Sequence, residues 1–342
     1  MKKFIVSLFI TVSFSAIYAE DGEKYFRNVY IDGRYQQIRT KNQVPDSIAA
    51  FTNCYQISYD EQNRIKRVCF MNRGRIQQMS TGVFITLINY TDSTEIRNYT
   101  DVTGSLMKNK LGAHKEILKY GANGVPVERQ NYDEQNVLIN DSIGVARYVY
   151  TVDERGWIIN EIYFDKDGCR VAATNNIYEH RMHWGTYKFG YQPESSFFDI
   201  NGNPVEHKEN KWAKSVARYD FQGNPVEFRY YGTDGKLTKR DRGYAVLRIK
   251  QNKYGLPDEI SYYDENDQLS ERKDNVAMLR YKYDNRGNAI EIKAFGKNKK
   301  LKNGIAIQRY EYDKNGFVVK RTALDKKEKI IKSEQAATKD DD

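Results

Sequence analysis

From about residue 53 the chain alternates apolar and polar residues at period two, in short runs broken by turn residues. "MLRYKYD" (278–284) and "IQRYEYD" (307–313) set aliphatic or aromatic side chains between charged ones. Such alternation predicts strands with one apolar and one polar face. "VEFRYY" and "DEISYY" each follow the next turn and read the same way. Turns fall where Asp precedes Gly by three residues, as in Asp153–Gly156, Asp220–Gly223, Asp284–Gly287 and Asp313–Gly316. The Asp accepts backbone hydrogen bonds, and the Gly takes the left-handed conformation that closes a short hairpin loop. After Asp60 that place falls to Asn63, the next-best residue for positive φ.

With Gly223 as a phase mark, equivalent positions are Asn63, Ser93, Gly124, Gly156, Gly190, Gly255, Gly287 and Gly316, spaced 29 to 34 residues apart. A second turn follows each mark by 11 or 12 residues, at Gly74, Gly104, Asn136, Gly168, Gly202, Gly235, Asp267, Lys299 and Glu328. Self-similarity at one period is the mark of a repeat architecture. Each unit reads as strand, tight turn, strand, tight turn, short strand, and a looser turn near sequences such as "KRDRG". Pro126, Pro204, Pro225 and Pro257 stand two residues after a turn position, which places them at a bulge or outside the ladder. The fold class is therefore all-β: an extended antiparallel sheet of about nine ~32-residue double-turn repeats. At ~4.8 Å per strand, two or three strands per unit give a sheet of roughly 85–130 Å. A sheet that wide coils into a solenoid-like form or stays a long single layer.

Charge follows the same period. Glu227, Glu259 and Glu291 stand four residues after a mark, and Arg248, Arg280 and Arg309 stand seven before one. They read as neighbouring positions of one hairpin forming cross-strand ion pairs on the wet face. The 27 tyrosines add aromatic rows, and alternation predicts rings on one face with charges on the other. Basic and acidic residues are interspersed, so the formal charge of +9 reads as a solvated surface rather than a nucleic-acid footprint.

Four segments are expected. Residues 1–19, "MKKFIVSLFITVSFSAIYA", have the charged start, short apolar run and small-residue end of a secretory signal peptide. Once it is cleaved, no integral membrane segment remains, and the protein is exported to the periplasm, the outer surface or the medium. Residues 20–52 keep the phase poorly and read as a cap, 53–324 as the repeat domain, and 325–342 as a charged tail, frayed or briefly helical. In an exported chain, Cys54 and Cys69 flank the turn "YDEQNR" and are a disulfide candidate if the hairpin register sets them opposite. Cys169 is left over.

"YDFQGN", "YDNRGN" and "YDKNG" resemble the YD repeats of bacterial Rhs-type proteins, over about residues 55–320. That resemblance implies a coiled antiparallel sheet, which in those proteins sometimes forms a shell around a toxin. The unit here is longer, the chain is short for a closed shell, and the polar tail carries neither processing signature nor toxin domain.

Catalytic chemistry is not spelled out. His180 and His183, in "YEHRMHW", stand three apart on a predicted strand and so point to opposite faces, against joint chelation. No phosphate-binding glycine loop or nucleophile signature occurs, and no cofactor is expected. The binding residues put forward are Tyr230, Tyr231, Tyr262, Tyr263, Tyr281, Tyr310 and Trp184, as aromatics on a rigid scaffold facing a protein or glycan of the envelope or exterior. The leading expectation is an exported bacterial scaffold or binding surface without enzymatic activity. The alternatives are an enzyme or metal-binding module centred on residues 169–200, or an accessory component beside an Rhs-like toxin.

Overall fold

A computed structural model describes residues 22–72, 74–121, 124–174, 176–185, 193–220, 224–252, 255–313 and 318–335. The proposed signal segment and the marks Gly190, Gly223 and Gly316 lie outside them. Strands β1 (Lys24–Asp32) and β2 (Gln37–Val44) form an N-terminal hairpin, followed by the one-turn helix α1 (Asp46–Ala49). Next come β3 (Cys54–Tyr59) with β4 (Ile65–Asn72), the short β5 (Arg75–Gln77), and β6 (Ile85–Tyr90) with β7 (Thr94–Thr100). The repeat continues as β8 (Lys115–Tyr120) with β9 (Pro126–Tyr132), β10 (Arg147–Val152) with β11 (Ile158–Phe164), and β12 (Glu179–His183) with β13 (Glu194–Phe198). Then follow β14 (Lys214–Tyr219) with β15 (Pro225–Tyr231), β16 (Val246–Gln251) with β17 (Pro257–Tyr263), and β18 (Met278–Tyr283) with β19 (Ala289–Phe295). The series ends with β20 (Ile307–Tyr312), β21 (Val318–Leu324) and β22 (Ile330–Gln335). All 22 strands belong to one open antiparallel sheet, in which each hairpin pairs with the next.

Turn chemistry sets this register. Asn63, Gly124, Gly156, Gly255 and Gly287 all have positive φ, and all nine second-turn positions do too, including Asp267, Lys299 and Glu328 at 60 to 63°. Ser93 does not adopt positive φ, and its hairpin ladder runs through to Tyr90↔Glu95 without a bulge. The β12–β13 ladder likewise runs without a shift, whereas β3–β4, β8–β9, β10–β11, β14–β15, β16–β17, β18–β19 and β20–β21 each carry a bulge at the end of the first strand. Pro126, Pro225 and Pro257 sit there, opposite Tyr120, Tyr219 and Gln251, where no amide is needed.

The third turn is not loose. Gly82, Gly112, Gly144, Gly243, Asn275 and Gly304 close it with φ between 60 and 93°. Successive third turns also bond each other: the amides of Lys110, Ser142, Asp241 and Lys273 donate to Thr81, Leu111, Asn210 and Arg242 carbonyls at 2.7 to 3.0 Å. A second backbone ladder thus runs beside the main one.

Two expectations are corrected. Cys54 lies opposite Met71 and Cys69 opposite Gln56, because the turn sets the strands one position off and the bulge at Tyr59 adds a second. Both are free, fully buried thiols, and burial pushes Cys69 up to about 11. The tail is neither frayed nor helical over Ile330–Gln335, which pairs with β21 from Leu324↔Ile330 to Lys320↔Gln335.

The sheet curls at its N-terminal end. The turn joining β1 to β2 reaches across to strands far along the sheet: Ile158 N donates to Arg34 O at 3.0 Å, and Trp157 Nε1 to Tyr35 Oη at 2.6 Å. Arg97 also donates to Gln36 O, at 2.5 Å. The face under this turn is called inner below.

Lys299 supplies a side chain at a left-handed position where Gly would cost less backbone energy. Lys299→Gly is expected to raise stability by about 0.5–1 kcal/mol, read as a higher urea midpoint.

Candidate functional site

Four second strands end in an aromatic doublet, Tyr163–Phe164, Phe197–Phe198, Tyr230–Tyr231 and Tyr262–Tyr263, while two others end in Asn131–Tyr132 and Ala294–Phe295. Neighbours on a strand point to opposite faces, so every doublet sends one ring inward and one outward. Aromatic side chains therefore occupy both faces, and the expected separation of rings from charges does not hold.

The inner face has two halves. Under the β1–β2 turn it carries buried charge: Arg97, 2% exposed, bonds Glu95 at 2.6 Å, and Tyr120 donates to the other Glu95 oxygen at 3.0 Å. Burial alone would lower the Arg97 pKa, but Glu95 and Glu116 outweigh it and hold it above the ordinary range. Arg129 lies 3.9 Å from Glu116 and 3.9 Å from the centre of the Tyr148 ring.

From β13 onward the inner face carries an aromatic row. Phe197, Trp212, Tyr230, Tyr244 and Tyr262 follow one another with ring centres 4.9 to 5.9 Å apart. Arg240 lies 5.0 Å from the Tyr230 ring centre and Arg272 5.0 Å from that of Tyr262. Tyr230 and Tyr262 are buried in this row, and Trp184 is buried where its indole donates to Ile158 O. These three pack the inner face and present no open ring to a ligand. Tyr281 and Tyr310 are half-exposed on the inner face, while Tyr231 and Tyr263 are half-exposed on the outer one.

On the outer face the predicted ion pairs form, but between consecutive hairpins rather than within one. Glu227, Glu259 and Glu291 stand directly opposite Arg248, Arg280 and Arg309 of the next hairpin. Their contacts are 2.8, 2.9 and 2.8 Å. Glu128 and Arg147 also pair earlier in the chain, but diagonally, since Glu128 stands opposite Val149 and Arg147 opposite Gln130. Burial would raise the Glu227 pKa, yet hydrogen bonds from Arg229 and Arg248 bring it down to about 2.

Three of these cations, Arg147, Arg248 and Arg280, also cover outward rings. Tyr132, Phe164, Phe198, Tyr231, Tyr263 and Phe295 form a column with one half-exposed ring per unit. Lys115, Arg147, Arg181, Lys214, Arg248 and Arg280 lie over them in that order, 3.8 to 5.9 Å from the ring centres. Sequence reading singled out Tyr231 and Tyr263 but missed the other four. The doublets were the available signal for Phe164 and Phe198, whereas Tyr132 and Phe295 follow Asn131 and Ala294 and are marked only by their phase in the unit.

Chemistry around residues 169–200 is thin. His180 Nε2 is 2.7 Å from Ser195 Oγ, and its Nδ1 is 3.6 Å from Glu161. His183 lies on the opposite face, opposite Glu194, and Cys169 is exposed in a second turn. Strand β13 is paired on both sides at Ser195, so among the described residues no set of free amides lies beside this hydroxyl to hold an oxyanion. No group of three His, Cys, Asp or Glu among the described residues is placed to hold a metal ion. A separate open cleft of about 650 Å³ lies beside β2, walled by Arg39, Tyr59, Arg64, Tyr90, Glu95 and Tyr120.

No protein-family model matches the chain, and no curated protein does. Among solved structures, a porin-like protein from Bacteroides uniformis is similar over 88% of this chain and 94% of its own, at 9% identity and a TM-score of 0.30. The Photorhabdus luminescens Tc holotoxin pore is similar over 85% of this chain at 11% identity, with a TM-score of 0.20. A TcdB2–TccC3 structure without its hypervariable C-terminal region is similar over 88% of this chain at 12% identity, with a TM-score of 0.19. This chain spans only 19 and 21% of those last two. At such identities and scores these likenesses assign the chain to no family and carry no functional argument.

Two outcomes test the electrostatics. Arg97→Ala leaves Glu95 buried without its cation, while Glu116 keeps Arg129, and is expected to cost about 3–5 kcal/mol in urea unfolding. For Glu227 the folded pKa is depressed, so its contribution is present above the ordinary value of 4.5 and is lost as pH falls toward about 2. The stability gap between wild type and Glu227→Gln should therefore be fully open near neutral pH and close across that acid window.

Proposed function

We propose that this is an exported bacterial β-repeat scaffold that acts by binding, without catalysis, and that its outer face takes an extended glycan or protein of the envelope or exterior. The observation that carries this reading is the column of six half-exposed rings, one per unit, each under its own cation. With two strands per unit at about 4.8 Å, successive rings lie roughly 10 Å apart, close to the length of a disaccharide. Rings on a rigid sheet offer stacking area at little entropic cost, and the adjacent cations suit acidic groups along a polymer. The signal-like residues 1–19 support export. No helix among the described residues is long and apolar enough to cross a membrane.

The reading of residues 169–200 as an enzyme module rests on the His180–Ser195 contact alone. The paired backbone on both sides of Ser195 weighs against it.

The test is binding of the protein to immobilised envelope polysaccharide and to envelope protein extract. Tyr231→Ala, Tyr263→Ala and Phe295→Ala should each weaken binding about two- to tenfold, and their combination should multiply the losses. Complete loss from a single substitution would sink the distributed surface, as would an unchanged triple variant.

A further inference from the structure

β22 is the last strand among the described residues, and it is paired on one side only. In β21, Lys320, Arg321 and Thr322 pair with Gln335, Glu334 and Ser333 of β22. These are the positions at which Glu291, Ile292 and Lys293 of β19 pair with Arg309, Gln308 and Ile307 of β20. So β22 occupies the place that the first strand of each later hairpin takes in the repeat. Strand β20 is flanked on its other side by β21 over six rungs, from Ile307↔Leu324 to Tyr312↔Val318. Among the described residues β22 pairs with β21 alone. Its six side chains are all exposed, Ile330 and Ile331 at 59 and 50%. An open strand with its outward amides and carbonyls unpaired is a template for another strand.

We propose that this vacancy is filled by β22 of a second copy of the chain, running antiparallel about a two-fold axis at Ser333. The strand is self-complementary in that register. Lys332 and Glu334 are ion-paired within one strand, and in this register each also faces its opposite charge on the partner, so the four groups close into a ring of alternating charge across the dyad. Sliding the strands to oppose like residues would set lysine against lysine, which is destabilising. The other open edge of the sheet, β2, is a poorer match. Its charged residues are Arg39 and Lys41, with no acid to meet Lys332. An isologous contact also closes on itself, giving a dimer and not a fibre. The proposal does not depend on what the outer face binds.

The experiment is light scattering on the chain from residue 20 onward, eluted from a sizing column across a micromolar concentration series. A monomer–dimer equilibrium is expected. Lys332→Glu and Glu334→Lys should each weaken it about tenfold or more, since each replaces attraction by repulsion at both pairs. The double variant K332E/E334K restores complementarity and should dimerise like the wild type. At concentrations where every variant is monomeric, melting curves should be unchanged, because the substitutions are at exposed positions of the last strand. A monomer at every concentration overturns the proposal, as does a mass that keeps growing beyond the dimer. Single variants that associate normally, or a double variant that fails to recover, overturn the register.

Discussion

Except for the five rungs between β7 and β8, each junction between hairpins is a three-rung ladder, and the structure depends on making that short contact hold many times over. Within a hairpin six rungs close at low entropic cost, because the turn has already brought the strands together. Between hairpins the chain spends a further turn and more than ten residues before it meets Glu227↔Arg248, Phe228↔Leu247 and Arg229↔Val246. Three features reinforce that weak link. The carboxylate on one strand pairs with the cation opposite, the third turns bond to each other, and one doublet ring packs over the seam on the inner face. None is strong alone. Exposed pairs contribute well under ~1 kcal/mol, but their recurrence at every step makes a wide open sheet possible.

The two halves of the inner face differ because only one of them is covered by backbone. The β1–β2 turn brings the carbonyls of Arg34 and Gln36 into a dry space, where each must find a donor. A guanidinium can supply several, and Arg97 serves Gln36 and Glu95 together. Burying that cation in turn demands Glu95 and Glu116 beside it. Beyond β13 no hairpin lies over the sheet among the described residues, and Phe197, Trp212, Tyr230, Tyr244 and Tyr262 fill the face with each other. The same scaffold thus carries a polar interior at one end and an aromatic spine at the other.

The fold was largely legible because its constraints are local. A left-handed residue announces itself as Gly or Asn, and where Asp267, Lys299 and Glu328 replace it the spacing alone located the turn. Long-range facts were not legible. The cysteine register depended on the turn's offset and on one bulge residue at Tyr59, which spacing cannot count. The reach of Tyr35 to Trp157 joins residues far apart in the chain, and no periodicity encodes it. The Glu and Arg columns were visible, yet whether they met within or between hairpins depended on which strand follows which in space. For the candidate site, tyrosine was too coarse a label. Tyr230 and Tyr231 are adjacent and chemically alike, but one is sealed in the aromatic row and the other faces outward under Lys214.

That outward column is not uniform, because each cation is divided between its ring and its carboxylates. Arg248 is bonded to Glu227 at 2.8 Å and to Asp267 at 2.7 Å, which leaves little of its charge for anything else. Arg280 bonds Glu259 at 2.9 Å, and its side chain is 57% exposed against 33% for Arg248. Arg181, over Phe198, is 48% exposed. An acidic ligand group gains most where it completes the coordination of a cation without breaking an existing pair. Identical spacing along the sheet therefore does not mean identical affinity. Arg181 is nonetheless held by both Glu179 oxygens, at 2.6 and 3.1 Å, so the ring at Phe295, under the singly bonded Arg280, is where a charged polymer would gain most, with the other rings adding smaller increments.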